Sequence, residues 1–103
     1  MNVMRTQFFI AVHINTANGP ETIARFRIGN NPQQASQIFY LLKGDDHVGG
    51  TDTLRLDFME MKNGLPVTLK RISCTSDQLA ENCKIITEEL FMLSGHREHE
   101  RIL

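Results

Sequence analysis

The chain is poor in the residues that announce chemistry. Two cysteines in 103 residues, Cys74 and Cys83, are too few for a disulfide framework, and they read as reduced, largely buried thiols. The longest apolar runs, Phe8 to Val12 and Ile38 to Leu42, span five residues each, where a bilayer demands about 20. The first run follows Arg5 as a signal-peptide core would, but His13 and Asn15 interrupt it and no small-residue cleavage site follows. No Asn-x-Ser/Thr acceptor occurs. The expectation is a soluble, cytoplasmic protein with no membrane role.

Charge of one sign is also missing. Eleven basic and twelve acidic residues leave −1, which argues against a dominant nucleic-acid or membrane-surface role while leaving local patches open. There is no glycine-rich phosphate loop, no paired-cysteine zinc spacing, no His-Glu-x-x-His and no serine in a nucleophile-elbow context. These absences lower the odds of an enzyme, although scattered residues could still build a site, and no cofactor or metal is expected.

What is present is repetition. A hairpin signal at Asn18-Gly19-Pro20 is answered by Asn63-Gly64-Leu65-Pro66, and a helix start at Asn31-Pro32-Gln33-Gln34 by Thr75-Ser76-Asp77-Gln78. A shift of 46 positions carries Phe8, Ile10 and Val12 onto Leu54, Leu56 and Phe58. The same shift carries Pro20, Thr22, Arg25 and Phe26 onto Pro66, Thr68, Arg71 and Ile72.

Alternation assigns faces. Phe8, Ile10, Val12 and Ile14 share one side of a first strand, with Phe9, Ala11, His13 and Asn15 on the other. In the returning strand Thr22, Ala24, Phe26 and Ile28 are expected inward, and Ile23, Arg25 and Arg27 opposite. Leu54, Leu56 and Phe58 oppose Arg55, Asp57, Met59 and Met61 in the third. The fourth alternates less cleanly, because Val67 and Leu69 are out of phase with Ile72 and Cys74; the repeat places the latter two inward.

Two helices complete the units. The first is capped by Asn31, with Pro32 at N1, Gln34 at the capping-box position, a stripe of Ala35, Ile38, Phe39 and Leu42, and Gly44 as its stop. Thr75 and Gln78 box the second, whose stripe is Leu79, Cys83, Ile86, Leu90 and Leu93, with Gly95 as its end. The expected fold is α+β: a ββαββα pseudo-repeat forming a four-stranded antiparallel sheet, order 2-1-3-4, with two helices packed on one face. Residues 1–95 would form the single domain, with units at about 7–44 and 53–95 and a charged tail over 96–103.

The uncovered face supplies the candidate sites. Phe9, Ala11, Ile23, Arg25, Arg55, Met59 and Met61, with Leu69 beside them, form an apolar patch edged by arginines, which is the composition of a protein interface. A non-enzymatic domain that self-associates as a two-fold homodimer, or that docks another protein, is the leading expectation. The alternative is single-stranded nucleic acid on Arg25, Arg27, Arg55 and Arg71, opposed by the single ring Phe9 and the slightly acidic chain. A third reading takes His13 as a ligand-binding residue, or the Asp45-Asp46-His47…Asp52 loop as a cation site, although such residues also suit any solvated connector. His96 and His99 are three apart but sit in the charged tail.

Overall fold

In the computed structural model, which describes residues 6–46 and 53–95, the elements are β1 (Gln7–Thr16), β2 (Gly19–Gly29), α1 (Pro32–Tyr40), β3 (Leu54–Lys62), β4 (Leu65–Cys74) and α2 (Ser76–Leu93). The strands form one antiparallel sheet in the order β2-β1-β3-β4, so the expected α+β architecture and strand order are those observed. His47, Asp52, His96, His99 and the tail lie outside the described residues.

One phase of the strands makes the core. Phe8, Ile10, Val12, Ile28, Leu56, Phe58 and Ile72 pack with Ala35, Ile38 and Phe39 of α1 and Ile86 of α2. Both helices therefore cover the same face and leave the other open. Phe58 is wedged between Phe39, stacked at 5.2 Å, and Phe8 at 5.8 Å. Each large aliphatic side chain removed from water here contributes about 1.5–3 kcal/mol.

Bulges explain the irregular alternation. Pairing steps from Val12↔Ala24 to His13↔Thr22, so Ile23 is unmatched. It steps from Phe58↔Lys70 to Met59↔Thr68, so Leu69 is unmatched. Each extra residue reverses the strand's phase. Val67, opposite Glu60, and Ile72, opposite Leu56, consequently share the helix side despite their odd spacing. Thr22, expected inward, is turned to the open face for the same reason. Leu69 lines a cleft with Phe39, Tyr40 and Phe58 on the helix side rather than the open face.

The first turn differs from its sequence reading and the second agrees with it. Thr16 pairs with Gly19, so the first loop is Ala17-Asn18, with Gly19 already in the strand at φ +102°. The second loop is Asn63-Gly64, where both residues take positive φ, +54° and +81°, the requirement of a type I′ hairpin.

The helix ends carry further corrections. The α1 cap is Asn31, whose side-chain oxygen accepts from the N–H groups of Gln33 and Gln34, and α2 has the full Thr75–Gln78 box. Gly44 does not stop α1, which ends at Tyr40. It lets the chain approach β4, since a Cβ there would stand 2.6 Å from the Ser73 carbonyl oxygen. Next to it Asp45 and Ser73 exchange backbone hydrogen bonds. Leu93 is not part of the buried stripe (45% exposed), whereas Asn82 is fully buried. Its amide accepts from the Lys43 N–H at 2.7 Å and donates to the Lys43 carbonyl at 2.8 Å, fastening the end of α1 to the middle of α2.

A candidate docking surface on the open sheet face

Register places the open-face side chains in rows across the sheet: three cross all four strands, and Gln7, Met61 and Pro66 begin a further one beside Phe9 and Met59. The middle row runs Arg25, Ala11, Asp57, Arg71; on one side of it lies Arg27, Phe9, Met59, Thr68, and on the other Thr22, His13, Arg55, Ser73. At about 4.8 Å between strands and about 6.8 Å between alternate residues, each four-strand row spans roughly 14 Å. Of the expected interface residues, Phe9, Arg25, Arg55, Met59 and Met61 come together here, as do Arg27, Arg71 and His13. Ala11 forms the floor, 3% exposed, and Ile23 stands out of register at the bulge, 54% exposed.

Asp57, which sequence reasoning passed over, organises the face. It is 3% exposed, and a buried carboxylate must be paired to be tolerated. Arg55 Nε donates to Oδ1 at 3.1 Å. Arg71 Nε at 3.5 Å and His13 Nε2 at 3.3 Å converge on Oδ2. The signal in the sequence was an acid on the arginine-bearing phase of β3, two residues after Arg55 and, through the 46-residue offset, opposite Arg71.

His13 is held at both nitrogens. Its Nε2–H faces the Asp57 carboxylate, which leaves Nδ1 to accept from the Thr22 hydroxyl at 3.0 Å. Burial pushes its pKa below the ordinary imidazole value. Asp57 pulls it back upward, while Arg55 and Arg71 push in the same direction as burial. The neutral ring at pH 7 is thus a spacer between a carboxylate and a hydroxyl.

Charge type is sorted between the two sides of the molecule. Among the described residues every arginine (Arg25, Arg27, Arg55, Arg71) is on the open face, and every lysine (Lys43, Lys62, Lys70, Lys84) is elsewhere. Four guanidiniums against one carboxylate give this face +3 in a chain of −1. Arginine's planar fork matches carboxylates and phosphates in a way that lysine's ammonium does not. The Arg25 guanidinium lies over the Phe9 ring, 5.4 Å from its centroid.

Apolar exposure is greater elsewhere. Phe9, Met59 and Met61 are only partly exposed, whereas Tyr40, Leu65, Val67 and Leu69 stand out at the β4 edge and the end of α1. Chemistry of other kinds finds little support. The described residues hold no cluster of three or more His, Cys, Asp or Glu able to bind a metal ion. Asp46 instead reaches Lys70 at 3.9 Å on the surface. Cys74 and Cys83 are free thiols whose pKa values burial pushes up, Cys74 being raised further by Cys83, so neither is an activated nucleophile. No described helix is long and apolar enough to cross a membrane. Compared with known proteins, the chain matches no family model, and neither the curated proteins nor the solved structures contain a significant match to it.

Proposed function

We propose that this protein is a non-enzymatic interaction module that docks a carboxylate-bearing protein surface on the open face of its sheet. The observation that supports this reading is the sorting of arginine from lysine, with the only carboxylate of that face among the described residues buried beneath its own guanidiniums. Asp57 holds Arg55 and Arg71 down on the sheet, which lowers the entropy lost when a partner engages them. Self-association through this face is disfavoured, because a two-fold dimer would set +3 against +3. Stacked nucleic acid is disfavoured because Arg25 already occupies the face of Phe9.

Anisotropy of labelled poly-L-glutamate tests the reading. Binding should weaken as salt rises and fall at least about tenfold in an Arg25→Ala/Arg71→Ala double variant, while Lys62→Ala/Lys84→Ala changes it little. Absence of binding at low salt, or equal loss in both double variants, contradicts it. Tighter binding of oligothymidylate than of poly-L-glutamate would replace a protein partner with a nucleic acid.

A further inference from the structure

The four arginines are not equivalent. Arg55 and Arg71 are held by Asp57, whereas Arg25 and Arg27 border a depression of 280 Å³ whose other described lining residues are Gln7, Phe9 and Met61. None of these residues is acidic, so the lining combines two guanidiniums with an aromatic ring, a thioether and one carboxamide. A ligand that satisfies all of them carries a carboxylate and an apolar body on the same small unit, with an amide group close by.

We propose that this depression anchors the docking surface by taking the C-terminal residue of a partner chain, a proposal that rests on reading the open face as a protein-docking surface. The α-carboxylate pairs with Arg27 and Arg25, the apolar side chain lies against Met61 and the Phe9 edge, and the Gln7 amide bonds the last peptide group. An internal Asp or Glu supplies the carboxylate but leaves the apolar wall uncovered. A nucleotide supplies a ring and a phosphate, yet its base would have to displace Arg25 from Phe9. An apolar chain terminus does neither.

The test uses an N-terminally labelled Gly-Ser hexapeptide ending in leucine, as the free acid and as the C-terminal amide, with poly-L-glutamate titrated in parallel. The free acid should bind roughly tenfold or more tightly than the amide, since one charge-assisted pairing is lost. Arg27→Ala should erase that difference without moving the melting temperature, as Arg27 is exposed. Equal affinity of acid and amide, or binding of neither, overturns the anchor. In that event continued binding of poly-L-glutamate leaves the wider docking surface standing, and its failure removes both. Displacement of the acid peptide by thymidine monophosphate at lower concentration than by acetyl-leucine would also overturn it, in favour of a nucleotide.

Discussion

The two hairpins share a backbone plan and divide the chemistry between them. In β1–β2 the extra residues are Ile23 and Ile28; in β3–β4 the one extra residue is Leu69, 46 positions after Ile23. Thr22 bonds His13 in the first, and Thr68 donates to Met59 Sδ at 3.1 Å in the second, again at an offset of 46. Ala11 sits beside Arg25 as Asp57 sits beside Arg71. Where the backbones coincide, the side chains differ in kind: alanine against aspartate, histidine against methionine. The first hairpin contributes an arginine pair with no acidic partner among the described residues, and a ring; the second contributes the acid that organises the centre. Bulge and register build the platform, and the substitutions at matched positions give it polarity.

The clearest way to break that division is Asp57→Ala, which installs the first hairpin's residue at the matched position of the second. Two part-exposed guanidiniums then lose their carboxylate and His13 loses its acceptor, so chemical denaturation should show a loss of about 1–3 kcal/mol. A loss below about 1 kcal/mol would mean that the cluster is solvated rather than buried. Matched core positions sharpen the comparison. Ile10 and Leu56 are both fully buried on adjacent strands, so Ile10→Ala and Leu56→Ala should each cost about 2–5 kcal/mol and agree to within roughly 1. Unequal costs would show that the two hairpins are packed to different degrees.

The turns should respond differently. Gly64→Ala forces a side chain into positive φ and should cost about 1 kcal/mol. Asn18→Ala, in a loop residue without positive φ, should cost less than about half of that, both read by chemical denaturation. The smallest effect is on pH dependence. Because the folded-state pKa of His13 lies below the ordinary value of 6.5, the folded protein binds this proton more weakly than the unfolded chain. Its contribution to stability is complete above about 6.5 and is lost as pH falls through the lowered folded value. His13→Met, which copies Met59, should flatten that part of the stability–pH curve; an unchanged curve would assign the titration to another group.

Much of this architecture was legible in the sequence, because period-two and helical spacing mark Phe8, Ile10, Leu56, Ala35 and Ile38 unambiguously as inward. The bulges were not. Ile23 and Leu69 are ordinary strand formers, and nothing in their identity says that they stand out of register. For that reason alternation alone puts Thr22 on the helix side, where the structure has it on the open face, and makes β4 read as out of phase with itself. Asn82 interrupts an apolar helical stripe, a signal whose meaning appears only when Lys43 is seen across from it. The arginines were found individually, but their dependence on Asp57 and their separation from the lysines emerge only once β3 and β4 are paired.

Amide chemical-shift mapping of the labelled protein titrated with poly-L-glutamate is the most direct test of the arginine-bearing surface. The account predicts that the largest shifts fall on Phe9, Arg25, Arg27, Arg55 and Arg71, with α2 and the lysine-bearing surface unmoved. Shifts centred on Lys62, Lys70 and Lys84, with the rows of the open face silent, would contradict it.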